Sequence, residues 1–399
     1  MKYVVILGDG MADFHRGALG NKTPLEIAKK PTIDRLAALG QVGLIKTIDE
    51  GLEPGSDVAN LSVIGYDPRV YYTGRSPLEA LSVGVNMSDN DTVFRVNLVT
   101  ISDEQNLQDA TMLDYSAGEI ATHEAHQLMK DLHDKLSGGF INFYGGTSYR
   151  NIALLPNTLC QTQFTPPHDI LDKKIGQYLP SGEGSAIFIN LMEKSKSILE
   201  NHPINLARIE QGKRPANLIW FWGKGTKPKL PKFEELYNLK GAVISAVDLL
   251  KGIAIGCGMK VINVPGATGN LHTNFAGKAK ACYDALNDHD YVYLHIEAPD
   301  ECGHQGDAQG KIQSIEKIDE VVDYIMKNLD QSGQEYCIAV LPDHATPLVL
   351  RTHVNEPVPF LVFNSARPAK CGLSYTENEG AKGVYLSNGR ALIQYMMKS

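Results

Sequence analysis

The chain has 399 residues, 43% of them hydrophobic and 21% charged, enough for a large core divided among two or three structural units. A formal charge of −8 and a pI near 5.9 exclude a nucleic-acid binder of the usual kind, which gathers Lys and Arg on one face, and favour small-molecule chemistry. Six cysteines without a C-x-x-C pair read as reduced thiols, and no apolar run reaches the roughly eighteen residues of a membrane span, so a soluble cytoplasmic protein without a membrane partner is expected.

In chain order, YVVIL (Tyr3–Leu7) reads as a strand buried on both faces. TPLEIAKKPTIDRLAALG follows with helical spacing, Thr23 as cap, Glu26 three residues on, Pro31 as an interruption and Gly40 as a stop. In EPGSDVANLSVI, Ser56 follows a glycine and opens an apolar-periodic segment, which predicts an N-cap in the positive potential of a helix start. VFRVNLVTI (Val93–Ile101), the helical THEAHQLMKDLHDKL and FINFYGG (Phe140–Gly146) break the rhythm and predict a small α+β unit inserted at residues 89–180. Residues 1–88 and 181–399 then form the larger domain, with PSGEGSA (Pro180–Ala186) as the return hinge and PKLPKF (Pro228–Phe233) as a surface loop. His123 and His126 fall on the polar face of the inserted helix, and Trp220 and Trp222, flanking Phe221, read as core. YVYLHI (Tyr291–Ile296) and CIAVL (Cys337–Leu341) are further buried strands, and their alternation with helices predicts an α/β class.

Each of these three strands runs into an aspartate: LGDG at Asp9, APDECGH at Asp300 and LPDHA at Asp343. The carboxyl ends of strands form the binding edge of an open sheet, so the three carboxylates are expected to converge, and converging like charges demand a cation. A lone strand-end Asp is usually a turn or cap residue, but here His304 and His344 stand beside two of the three and His353 lies nine residues past His344. Three Asp and three His suffice for two metal ions, with Mn²⁺ or Zn²⁺ suiting the mixed donors better than Ca²⁺. Cys302 is set aside, since a thiolate is out of place beside hard carboxylates.

The order Asp9, Ser56, Asp300-x-x-x-His304, Asp343-His344, His353 resembles the alkaline phosphatase superfamily. Within it the whole chain resembles the cofactor-independent phosphoglycerate mutases of archaeal type, through GYDPRVYYTGRSPLEALSVG, FRVNLVT, TPPHDI, ANLIWFWGKG, VPGATG and APDECGHQGD. The resemblance implies an alkaline-phosphatase-like sheet sandwiched by helices, with the inserted unit as a cap whose closure would protect an intermediate from water. It also implies two divalent ions, Mn²⁺ with Zn²⁺ or Co²⁺ as alternatives, and no 2,3-bisphosphoglycerate. Asp9, Ser56, Asp343 and His344 would hold one ion, and Asp300, His304 and His353 the other. Ser56 would carry the phosphoryl group between the two hydroxyls of a small phosphorylated substrate, interconverting 3-phosphoglycerate and 2-phosphoglycerate.

Arg75, Arg95, Arg150 and Arg214 are candidates for holding the substrate's anionic groups, although surface solvation explains most single arginines. Lys213 matches the segment bearing an essential lysine in longer bacterial mutases, and His168 with Asp169 in TPPHDI is the candidate pair for proton transfer. Asp114-Tyr-Ser-Ala-Gly118 departs from the D-R-R-A-G common in archaeal-type members, losing two positive charges. A less anionic acceptor, as in a homoserine kinase, is therefore the alternative, and a metal-binding protein without turnover a third. The sequence fixes no oligomeric state.

Overall fold

The computed structural model describes residues 1–15 and 19–399. Thirteen strands follow among them: β1 (Lys2–Gly8), β2 (Gln41–Ile45), β3 (Thr92–Ile101), β4 (Met112–Asp114), β5 (Asn142–Thr147), β6 (Arg150–Leu155), β7 (Leu218–Thr226), β8 (Gly241–Ile244), β9 (Lys260–Ile262), β10 (Tyr291–Ile296), β11 (Tyr336–Leu341), β12 (Val358–Asn364) and β13 (Val384–Leu386). They sort into two compact units, Met1–Tyr72 with Lys229–Ser399, and Thr73–Pro228.

The larger unit is the expected α/β sheet sandwiched by helices, eight strands in the order β13-β2-β12-β11-β1-β10-β8-β9. Strands β1, β10 and β11 are almost wholly apolar because both faces are covered. Val4, Ile6, Val292 and Leu294 pack toward the helices Pro31–Leu39, Phe275–Ala285 and Ala308–Ser332, while Ser56–Ile64, Asp248–Gly256 and Ala391–Lys398 belong to the other side. The sheet is mixed, since β12 runs antiparallel to both β11 and β2. The Thr23 and Glu26 side chains close the expected capping box, and the helix Pro31–Leu39 stops at Gly40.

The smaller unit is a sheet in which β3 lies between β6 and β7, covered by the helices Thr122–Leu136 and Ser185–Leu199. Its bounds differ from the expected 89–180. The helix Arg75–Ser82 packs on β3 and β7, and β7 pairs along the length of β3, so the chain leaves this unit only after Pro228. PSGEGSA therefore lies inside the unit rather than at a hinge, and the chain crosses between units within PKLPKF, read from sequence as a plain surface loop. No described helix is long and apolar enough to cross a membrane.

Candidate metal centre

All seven expected ligands lie in the larger unit. Asp9 directly follows β1, and Asp343 follows β11 by two residues; both are buried, and β1 pairs in parallel with both β10 and β11, which brings their carboxyl ends together. Asp300 sits one step further on, in the first turn of the helix Ala298–Gln305, and His304 is one turn later on the same helix, not in a loop. That i, i+4 spacing brings His304 Nε2 to 3.3 Å from Asp300 Oδ2.

The inner group is Asp9, Asp343 and His344. His344 Nε2 is 3.4 Å from Asp9 Oδ1, 3.4 Å from Asp343 Oδ2 and 3.1 Å from Ser56 Oγ. Ser56 is the first residue of the helix Ser56–Ile64, and Gly55, not Ser56, is the N-cap. The hydroxyl is thus turned toward His344 rather than spent on the helix backbone. The outer group is Asp300, His304 and His353, with Asp300 Oδ1 3.4 Å from His353 Nε2 and the two imidazole Nε2 atoms 3.0 Å apart.

These donors fit divalent cations on three counts. Asp9 Oδ1 is buried without a hydrogen-bond donor, an arrangement that costs several kcal/mol unless a cation meets it. His304 Nδ1 donates to the Arg351 carbonyl at 2.9 Å; a carbonyl only accepts, so in the neutral ring the Nε2 facing His353 is the lone-pair nitrogen. Arg351 reaches that pose with a left-handed φ of 56°. The donor set is also carboxylate and imidazole, with no thiolate.

Electrostatics agree. Burial, then the charges of Asp343 and Asp300, push the Asp9 carboxyl well above its ordinary value. Burial works the same way on Asp300 but is outweighed by hydrogen bonds from His304 and His353, which hold it well below the usual carboxylate range. The hydrogen bond to Asp300 raises His304 to about 9.

Sequence reasoning missed three supporting side chains. His295, buried on β10, places Nε2 2.8 Å from Asp9 Oδ2 and Nδ1 3.1 Å from Ser245 Oγ. Asn60 donates to Asp343 Oδ2 at 2.7 Å and to the Ser56 carbonyl at 2.9 Å, and accepts from the Tyr293 hydroxyl. Thr346 contacts both Asp300 and His344. The signal available was a polar residue in an otherwise apolar run, as His295 is in YVYLHI.

Comparison with known proteins places the chain. Residues 37–205 match the family described as 2,3-bisphosphoglycerate-independent phosphoglycerate mutase, and residues 170–360 match type I phosphodiesterase / nucleotide pyrophosphatase. The 2,3-bisphosphoglycerate-independent phosphoglycerate mutase of Methanothrix thermoacetophila is 48% identical over the full length of both chains. The chain belongs to this mutase family. The probable mutase of Geobacter sulfurreducens is 46% identical, again over both full lengths. A solved structure from Pyrococcus horikoshii superposes with a TM-score of 0.83 at 30% identity, covering 100% of this chain and 96% of the other. The cofactor-independent mutase of Thermoplasma acidophilum gives 0.68 at 25%, covering 100% and 99%. These relatives give the homoserine alternative no support, and divalent metal use goes with membership of the family.

The seven remaining candidates lie in the smaller unit. Arg95 is buried, clasps Glu79 through Nε at 2.6 Å and through Nη2, and stacks on Trp222 at 4.6 Å. Arg75 Nε also meets Glu79, at 3.1 Å. Arg150 is exposed beside Tyr149, and Lys213 and Arg214 are exposed, Arg214 Nε lying 3.7 Å from Asp114. Asp114 itself accepts from the Ser116 amide and hydroxyl and from the Gly118 amide, so the departing D-Y-S-A-G stretch is a tight turn built on its aspartate. His168 stands edge-on to Trp222 and Tyr115; its Nε2 is 3.7 Å from Asp169 Oδ1, beyond hydrogen-bond reach. Burial, joined by the Arg95 charge, lowers the His168 pKa. Of the two tryptophans, Trp220 is core as expected, while Trp222 is half-buried and donates to Asn97 Oδ1.

Proposed function

We propose that this chain interconverts 3-phosphoglycerate and 2-phosphoglycerate without a diphosphorylated cofactor, with Ser56 Oγ taking and returning the phosphoryl group. The observation that carries the reading is the Ser56 hydroxyl at a helix start, 3.1 Å from the His344 Nε2 that also faces a carboxylate oxygen without a donor, in a chain 48% identical throughout to an archaeal mutase. In the proposal Asp9, Ser56, Asp343 and His344 hold one ion and Asp300, His304 and His353 the other, Mn²⁺ ahead of Zn²⁺ or Co²⁺. Bound there, such ions would favour the ionised serine and neutralise charge on the phosphoryl oxygens.

The chain's own residues do the rest. The helix Ser56–Ile64 turns the positive end of its dipole toward Ser56, while its Val58 N–H is held by Asp57 Oδ1 at 2.9 Å. The bond from phosphorus to the substrate's 3-oxygen breaks as the bond to Ser56 Oγ forms; the serine proton leaves and the 3-oxygen gains one. The same exchange in reverse at the 2-oxygen completes the isomerisation. Asn60 keeps Asp343 and the Ser56 backbone fixed throughout. For the smaller unit, His168 is proposed to move protons at the glycerate hydroxyls with Asp169 assisting, and Arg75, Arg95, Arg150, Lys213 and Arg214 to supply positive charge for the anionic groups.

The test is metal-loaded protein with 3-phosphoglycerate and no 2,3-bisphosphoglycerate, 2-phosphoglycerate being drawn off by enolase. Turnover is expected, with Ser56→Ala slower by at least about ten-thousand-fold while metal content stays mostly intact. Equal rates in the variant would remove the phosphoserine route.

A further inference from the structure

The expected ligand sets are joined by one hydroxyl. Thr346 Oγ1 lies 2.5 Å from Asp300 Oδ1 and 3.2 Å from His344 Nδ1, and Thr346 is completely buried. A hydroxyl has one proton to give, and a metal-binding carboxylate can only accept. The proton therefore goes to Asp300, and the oxygen accepts from His344 Nδ1–H. That assignment leaves the His344 lone pair on Nε2, the atom facing Asp9 Oδ1, Asp343 Oδ2 and Ser56 Oγ.

The threonine is itself held in place. The buried Lys311 ammonium donates to the Thr346 carbonyl at 2.8 Å, to the Ala12 carbonyl at 3.0 Å and to Asp13 Oδ2 at 2.8 Å. Gly303, on the helix that carries Asp300 and His304, is packed so closely that a Cβ there would come within 2.8 Å of the Thr346 methyl and 2.7 Å of its carbonyl oxygen. Gly10, next to Asp9, likewise has no room for a side chain, since its Cβ would stand 2.5 Å from Thr346 Oγ1. Three segments are thus built around this one residue, two of them against its side chain.

We infer that Thr346 is a positioning residue shared by both metal clusters: its hydroxyl fixes the tautomer and ring orientation of His344 for the inner ion and the carboxylate rotamer of Asp300 for the outer one. Thr346 touches neither the phosphoryl group nor the ions, so it is no catalytic residue. It acts as an outer partner of two ligands at once, and loss of such a partner weakens a metal site by about 10–100-fold. The inference rests on the ligand assignment proposed above, and its test separates the two.

Equilibrium dialysis with Mn²⁺ compares the unaltered protein with Thr346→Val and Thr346→Ser. Valine keeps the branched shape and puts a methyl in place of the hydroxyl; serine keeps the hydroxyl and drops the methyl. The unaltered protein is expected to bind two ions per chain, Thr346→Val to bind both about 10-fold or more weakly, and Thr346→Ser to regain most of the affinity. Thermal melts in EDTA check that the metal-free fold survives. If the valine variant does not fold, Thr346→Ala against Thr346→Ser, differing only in the hydroxyl, gives the same reading. Equal affinity with and without the hydroxyl would overturn the inference while leaving the ligands intact, and weakening of one ion alone would overturn the shared role. Fewer than two ions on the unaltered protein would overturn the ligand assignment and this inference with it.

Discussion

The two units received seven expected site residues each, and they treat them differently. In the larger unit all seven come together at the carboxyl edge of one sheet, with ring nitrogens, carboxylates and a hydroxyl 3.0–3.4 Å apart. In the smaller unit the candidates range from the buried and ion-paired Arg95 to the exposed Arg150, Lys213 and Arg214. The difference follows from chemistry. Metal ligands must share one point in space, so the fold concentrates them; guanidinium groups serve equally well as buried partners for a carboxylate or as surface cations.

The sharpest way to break the comparison is to remove one ligand from each cluster. Asp9→Asn is expected to lower affinity for the inner ion by more than about 100-fold, beyond what loss of an outer partner costs, and His353→Ala to do so for the outer ion. Elemental analysis after dialysis should find about one ion retained by His353→Ala. Full occupancy in both variants would overturn the assignment. Arg150→Ala, from the other unit, should leave metal content unchanged.

How much of this was legible in the sequence depended on whether a residue's role was local. Asp9, Asp300 and Asp343 could be found because each follows a continuous apolar strand, and strand ends are where an open sheet binds. Thr346 and Asn60 could not, because a buried threonine or asparagine within an apolar stretch reads like any satisfied core polar group. The ion pair of Arg95 was hidden for a related reason: its partner Glu79 lies 16 residues back on a helix, and no local rule pairs a strand arginine with it. The bounds of the smaller unit failed in the same way, since β7 pairs with β3 across more than a hundred residues and periodicity says nothing of partners.

A smaller effect separates the inner cluster from the outer one by pH. His304, raised to about 9 by its bond to Asp300, carries a proton in the metal-free protein at neutrality, and a cation must displace it. Outer-site affinity is therefore expected to rise about tenfold per pH unit from pH 7 and to level off near pH 9. Metal-free stability runs the other way. A histidine whose folded pKa exceeds its unfolded value of about 6.5 adds stability below that value and loses it as pH climbs through 9. Mn²⁺ titrations and melts at successive pH values would show both trends, and a flat outer-site affinity would remove His304 from the ligand set.

The ion pair in the smaller unit offers a prediction on stability. Burial opposes ionisation of Glu79, but Arg95 and Arg75 outweigh it and hold the carboxyl below its ordinary range. Arg95→Met would leave that buried carboxylate with Arg75 alone, which is itself part-exposed. A buried charge stripped of a partner costs about 3 kcal/mol, so the denaturant midpoint should fall clearly. Loss of activity in this variant would then report on folding as well as on binding, and only one that kept its midpoint could implicate Arg95 in holding substrate.

The smallest effect belongs to Lys213. An exposed ammonium acts through a high dielectric, where one charge contributes about 1 kcal/mol, or about fivefold in kcat/KM toward an anionic substrate. Such a term is screened by salt, so the gap between Lys213→Ala and the unaltered protein should close as ionic strength rises toward 1 M. A deficit that persists in high salt would mean that Lys213 meets the substrate in a desolvated contact. The smaller unit would then hold a residue placed as specifically as those around His344.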